Sequence, residues 1–493
     1  MSKNNLPIKI ILQKTDDIFS NSGGGKTKFF SEVTPQLQID ISNKFESLLE
    51  YYNDVFEENE NIPAIGKVIV KPEAIAKSHK PDDLCRNCPI IGTEDLNEIY
   101  IKVKKKSIQE TVKLVMNPPS IKFKANMTAV SDIQPIKADE KITSSLALAA
   151  QSDFSSIKNN IKVKIFDFDD DFDNAQIWDY INRKITLLGL HDNCELITYG
   201  EHIKFLKIGI NSYEDIINIA SINGVKSVDF FQEYSLPKDD FSSTDLKMLL
   251  EHEYTDSEVS IGIIDGGISA DNPYLKPYII AREEYVSEVY QNPHHATFIA
   301  STIQYGNLLN GISSPTCHRF KFVDIIAMPN SDKKFGPTDS ISEYDLMEII
   351  EEVMEKYSHS TKIWNISLGI ENKPCSGTMS DLGVFLDYIQ DKYHVQMFVS
   401  SGNINDLPLR TWPPQSGLGE HDRLISPADS VRAITVGSVA LFESDDSIVK
   451  FNEPSPFSRR GPGANYVVKP DIVDYGGNLS TTYCIDGLGV KGL

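Results

Sequence analysis

The sequence predicts an α/β protein: a doubly wound parallel sheet in the second half, preceded by small α+β units. Three observations lead there. From Val259 onward, near-continuous apolar stretches alternate with amphipathic helical periods, the pattern of a parallel sheet covered on both faces. Before Leu236, short strands alternate apolar and polar residues, with brief helices between them. At 493 residues the chain exceeds one ordinary core, so two or three domains are expected. The divisions fall at 1–150, 161–236 and 257–493.

Composition narrows the function classes. Hydrophobic residues make up 40% and charged residues 24%, the mix of a globular protein in water. A net charge of −22 argues against nucleic acid as the main partner, because phosphate binding needs a basic footprint. No apolar run approaches the length of a membrane span, so no membrane partner is expected. The N-terminal apolar run, Ile8 to Leu12, is too short for a signal sequence, and a cytoplasmic location is the expectation. Of six cysteines only Cys85 and Cys88 lie close together, which argues against a disulfide framework.

The elements follow in order. Ile8 to Lys14 reads as a strand. Ile39, Ile41, Phe45, Leu48, Leu49 and Tyr52 share a helical face. Lys67 to Lys71 and Ile99 to Val103 alternate as strands, Pro72 to Pro89 reads as a helix plus loop, and Ser107 to Met116 as a helix; together they suggest a βαβ-type arrangement. The Ser/Ala/Lys-rich stretch Asp139 to Asn160 reads as a linker. A small unit follows: strands at Lys162–Phe168, His202–Ile210 and Val225–Phe231, with helices at Ala175–Leu188 and Tyr213–Ala220. Leu236 to Asp256 is a charged connector. Beyond it the predicted strands are Ile261–Ile264, Phe322–Ala327, Ile363–Ser367, Met397–Val399 and Ala433–Val436. Helices are predicted over Ile341–Tyr357, with Ser342 and Asp345 as an N-terminal cap, and Asp381–Tyr393.

Ligands bind such sheets at the carboxyl ends of the strands, where Asp265, Ser367 and Asn403 each fall. Asp265 ends a strand of branched apolar residues, where a carboxylate is costly unless paired. An imidazole is its natural partner, and His295 opens an apolar-periodic helix. Such a pair can take a proton from a serine hydroxyl. Asn403 closes a Ser-Gly turn, and its amide can donate to a developing oxyanion. Taken singly, each is also a turn, cap or surface residue. Their joint occurrence decides between the readings.

In order and kind, VSIGIIDGGI (Val259–Ile268), HHATFIAS (His294–Ser301), IWNISLG (Ile363–Gly369), FVSSGN (Phe398–Asn403), FSRRGPG (Phe457–Gly463) and KPD (Lys469–Asp471) resemble the subtilase family of serine peptidases. The resemblance covers Val259 to Leu493. It implies serine-type peptide-bond hydrolysis without a cofactor or metal, with Asp265, His295 and Asn403 catalytic. It selects His295 over His294, because Thr297, Ile299 and Ala300 then fall in the family's register. It implies that Ser367, Leu368 and Gly369 pair with an extended protein or peptide substrate, alongside Ser401 and Gly402. The family's Gly-Thr-Ser-x-Ala-x-Pro nucleophile box is expected after Leu493, so the chain resembles a C-terminally truncated copy; the alternative is an inactive module that keeps the peptide-binding groove. Gly266 stands where the family usually has Ser or Thr, Ala296 where it has Gly, and Ser400 and Ser401 replace a small apolar pair. The 161–236 unit resembles a subtilase prodomain. GGGKTKFF (Gly23–Phe30), KPEAIAKSHKP (Lys71–Pro81) and CPIIGTEDL (Cys88–Leu96) resemble the front end of subtilases from two-gene anti-phage systems, which implies an AAA-type ATPase partner.

Four other signals are weaker. Gly23 to Thr27 lacks the first glycine of a phosphate loop. Asp167, Asp169, Asp171 and Asp173 imitate a calcium loop but lack its glycine and bidentate Glu, and read as a solvated turn capping the next helix. Cys85 and Cys88 lack a second pair for zinc. Ser376 to Ser380 (SGTMS) has the wrong order and composition for a nucleophile box, and Ser480 has no box around it.

Overall fold

A computed structural model describes residues 27–493, apart from 77–78, 95, 153–159, 201–202, 238–241, 244–254, 313–317, 370–374, 376–378, 405–406, 408 and 415–420. The expected strand at Ile8–Lys14 and the glycines of the GGGKT stretch lie outside the described residues. The chain divides into two compact units, Met1–Glu195 with Leu206–Asp229, and Leu196–Phe205 with Phe230–Leu493.

The first unit opens with a helix at Pro35–Tyr51, capped by the Thr34 hydroxyl, which accepts from Leu37 N at 3.1 Å. It buries Ile41, Phe45 and Leu48 of the face its periodicity marked, whereas Ile39, at the helix's N-terminal end, is exposed. A four-stranded sheet runs in the order Ile90–Thr93, Glu98–Val103, Ala64–Val70, Val130–Pro135. The two strands read as βαβ are instead antiparallel neighbours, with Val68 opposite Ile99. The reason is the connection: the described residues between them hold a short 3-10 turn at Pro72–Ala74 and the strand Ile90–Thr93 but no α-helix, whereas a parallel crossover usually needs a full helix. The helix Lys105–Met116 comes after the pair.

Two further readings change here. The stretch taken for a linker contains helices at Ala138–Lys141 and Ser144–Ser152. Leu146 and Ala150, four residues apart, are buried; a Ser/Ala-rich composition hid that stripe. In the acidic run, Asp170 caps the helix Asp171–Leu187. Asp173 is not solvated: it is buried and ion-paired to Lys102, at 2.7 Å, and to Lys104. The second sheet has the order Cys194–Tyr199, Ile203–Gly209, Asn160–Ile165, Val225–Asp229. Its Cys194–Tyr199 strand was not anticipated.

The second unit is built on seven parallel strands: β1 (Thr255–Asp265), β2 (Ile279–Glu284), β3 (His318–Ile326), β4 (Ile363–Ile366), β5 (Gln396–Ser400), β6 (Ile434–Ala440) and β7 (Ile472–Gly476). Their order is β2-β3-β1-β4-β5-β6-β7, every neighbouring pair parallel. Helix α1 (His294–Leu309) covers one face; Ala296, Ala300 and Tyr305 pack with Ile261, Ile263 and Phe322. Helices α2 (Glu343–Tyr357) and α3 (Asp381–Tyr393) cover the other, where Leu346, Ile350, Phe385 and Ile389 meet Val323, Ile325, Trp364 and Ile366. Burying each such side chain contributes roughly 1.5–3 kcal/mol. Ile197, Tyr199, Ile203 and Phe205, which belong to this second unit, join the same cluster, with the Tyr199 and Phe385 rings edge to face at 4.8 Å. The doubly wound sheet is thus as expected, and it gathers the ends of β1, β4 and β5 at one edge.

Candidate active site

Asp265 closes β1 and is fully buried. Two glycines then turn the chain: Gly267 has φ +93°, and a Cβ on Gly266 would stand 2.5 Å from the Asn292 carbonyl oxygen. The family's usual hydroxyl residue therefore has no room at Gly266 in this backbone. Instead the Gly266 N–H donates to Asp265 Oδ1 at 2.6 Å. His295, in the first turn of α1, directs Nδ1 at the same carboxylate, 3.0 Å from Oδ1 and 2.8 Å from Oδ2. His294 turns elsewhere: its ring lies 4.2 Å from that of Phe335. Ala296, where the family has glycine, is fully buried against β1.

A second buried carboxylate stands behind the pair, and sequence reasoning missed it. Asp324 of β3 accepts the Ile268 N–H at 3.0 and 3.1 Å and Arg282 Nε at 2.8 Å. Arg282 also donates to the Ile268 carbonyl. Both bonds hold the turn that follows Asp265. Burial raises the Asp324 carboxyl to about 6 against the opposing pull of Arg282 and the Ile268 N–H, and the Asp265 charge adds to the rise.

The β4 end carries Ser367, Leu368 and Gly369. Ser367 Oγ donates to Asn365 Oδ1 at 3.1 Å, and Leu368 is buried. The Gly369 carbonyl accepts the Ser235 N–H at 3.4 Å. That contact belongs to a strand laid along the edge by residues 232–236. Gln232 O accepts from Glu343 N at 2.8 Å, Glu233 and Tyr234 pair antiparallel with Ser342 and Ile341, and Ser235 bridges to Gly369. Leu236, buried, gives its carbonyl to Ser331 Oγ at 2.9 Å.

Past β5, Ser401 N donates to Val436 O at 2.9 Å, and Gly402 takes φ +90° against Ile425. Asn403 follows, bridged to Ser458. Its carbonyl accepts Arg459 Nε at 2.7 Å, and the same guanidinium also reaches the carbonyls of His421 and Arg423. The FSRRGPG stretch therefore clamps the loop carrying Asn403. The KPD stretch plays a similar part for β6, where Asp471 Oδ2 accepts Thr435 N at 2.9 Å and Lys469 Nζ at 2.6 Å. Of the set-aside serines, Ser380 caps α3, and Ser480 Oγ accepts from Cys484 N at 3.1 Å. Residues 376–378 of the SGTMS stretch lie outside the described residues. Cys85 and Cys88 are both buried, with Cys88 Sγ 3.7 Å from Ser107 Oγ. Among the described residues, no helix is long and apolar enough to cross a membrane.

Comparison with known proteins finds similarities in the second half of the chain. The profile of the subtilase family, Peptidase_S8, matches residues 256–491. An uncharacterized protein of Sinorhizobium fredii, y4bN, is 34% identical over 137 residues, which cover 24% of this chain and 31% of that protein. The match thus spans under a third of the relative's length. Among solved structures, the patellamide maturation protease PatA is 18% identical, covering 48% of this chain and 73% of its own, with a TM-score of 0.28. MycP1 from Mycobacterium smegmatis is 14% identical, covering 53% and 72%, with a TM-score of 0.30. Residues 256–491, just under half of the chain, thus carry a parallel sheet and match the profile of the subtilase family.

Proposed function

We propose that residues 256–491 carry the working groups of a subtilisin-type serine endopeptidase, with Asp265 and His295 as its general-base pair and Asn403 as its oxyanion donor. The observation that carries this reading is the two-oxygen contact of Asp265 with His295 Nδ1 at a buried strand end. A carboxylate on Nδ1 fixes the tautomer in which Nε2 takes the proton of an attacking serine hydroxyl and later returns it to the leaving amine. The Asp265 charge stabilises the imidazolium between those steps. The Asn403 amide would meet the negative charge on the substrate carbonyl oxygen, and Ser367 to Gly369, with Ser401 and Gly402, would hold the peptide main chain.

The strand 233–235, paired with Gly369, supports reading 161–236 as a prodomain whose trailing segment occupies the groove. The same occupancy favours a second reading, a regulatory module that keeps its groove filled and does not turn over. The N-terminal resemblance supports an AAA-type ATPase partner, an intracellular protein target and a part in phage defence.

The test is labelling of the protein by a fluorophosphonate. The proposal expects covalent labelling that disappears in His295→Ala. A folded protein that never labels would favour the regulatory reading.

A further inference from the structure

We infer that the groove beside Gly369 contains a pocket that selects a tyrosine side chain by reading its phenol hydroxyl. The inference rests on the groove being the peptide-binding edge proposed above.

The occupant in this structure is Tyr234. It sits on a two-residue strand paired antiparallel with Ile341–Ser342, and the next residue bridges to Gly369. This is main-chain strand addition, the way extended peptides dock on a sheet edge. Tyr234 is fully buried in the apolar cluster of Leu346, Leu368 and Leu382. The floor of its site is polar. Tyr234 Oη lies 2.8 Å from Ser426 Oγ. Ser426 Oγ donates to Ser380 Oγ at 2.7 Å, and Ser380 Oγ donates to Asp429 Oδ1 at 2.7 Å. Asp429 also accepts Ser380 N at 2.6 Å.

Counting protons fixes the direction of this chain. A serine hydroxyl has one proton. Ser380 gives its proton to the carboxylate, so it must accept from Ser426. Ser426 thereby commits its own proton, and the remaining contact is made with the phenol donating. The relay therefore runs from phenol to carboxylate and presents an acceptor to whatever fills the pocket. Ser426 and Asp429 are 2% and 1% exposed, so solvent does not replace a missing donor. Burial holds the phenol well above its ordinary pKa, which keeps it a donor. Phenylalanine would fill the volume and leave Ser426 Oγ without its donor, a penalty that falls on buried acceptors. Phosphotyrosine would bring no donor and would add negative charge near Asp429.

The test uses the full chain with Tyr234→Ala, which vacates the pocket, and a fluorescein-labelled peptide copying residues 230–237. Binding is followed by fluorescence polarisation. The Tyr peptide is expected to bind about tenfold more tightly than its Phe counterpart, and a phosphotyrosine version to fail. Adding Ser426→Ala should erase the preference for Tyr over Phe. Equal binding of Tyr and Phe peptides, a preference that survives Ser426→Ala, or no binding of either peptide to the folded variant would each overturn the proposal. Where Tyr234→Ala fails to fold, hydrogen exchange of the 233–236 amides serves. Exchange should quicken about tenfold in Tyr234→Phe and in Ser426→Ala, with no further gain in the double variant; additive effects would overturn it. Because binding is read without turnover, selectivity without hydrolysis leaves this pocket standing while the peptidase reading fails. Hydrolysis indifferent to Tyr or Phe does the reverse.

Discussion

Asp265 and Gly266 share one constraint. The carboxylate is held by the Gly266 N–H, and the carbonyl of Asn292 fills the space a side chain at 266 would need. Gly266→Ser, which restores the family's usual hydroxyl, is therefore expected to destabilise the domain by about 1–3 kcal/mol, the ordinary cost of overpacking. Urea denaturation of the two chains checks this. Asn403 acts differently. Asn403→Ala keeps the backbone carbonyl that Arg459 grips, so the loop should hold its place. In the proposed peptidase reaction the substitution should lower the hydrolysis rate about 100- to 1,000-fold, the size measured for the oxyanion asparagine of a subtilisin. Steady-state kinetics on an unfolded protein substrate supply the number.

Elements place these residues, and their legibility varied for physical reasons. The sheet of the second unit could be read because strands buried on both faces leave long apolar runs, as in Ile261–Ile264, while α2 and α3 show clear stripes. The Ser342 cap of α2 was also readable: its hydroxyl accepts Asp345 N and donates to Asp345 Oδ2 at 2.8 Å. Ser342→Ala should cost about 1 kcal/mol, read as a lowered melting temperature. The first unit was misread where connection, not pattern, sets the outcome. Alternating strands look alike whether paired parallel or antiparallel, and the absence of a crossover helix among the described residues between Lys71 and Ile99 decides. The Asp265–His295 pair was visible because both residues sit in local motifs. Asp324 and Arg282 were not: they meet across neighbouring strands 42 residues apart, with no motif around either. The role of Arg459 needed coordinates too, although its stretch was noticed, since its partners come from three separate loop positions.

For the molecule as a whole, Asp324 links the site to stability. Its folded pKa of about 6 lies above the ordinary 3.8. Between those values the folded chain keeps a proton that the unfolded chain has released. Stability from this group is full below about pH 4, declines as pH rises to about 6, and is level above that. Denaturation midpoints measured from pH 4 to 7 should show this decline, and Asp324→Asn should flatten it. The whole account depends on Asp265 and His295 working as a unit to break peptide bonds. The most direct measurement is the hydrolysis rate of the protein against its Asp265→Asn and His295→Ala variants, with new peptide ends identified by mass spectrometry. The account predicts cleavage by the parent and a loss of about ten-thousand-fold or more in each variant. Cleavage that persists undiminished in either variant would contradict it.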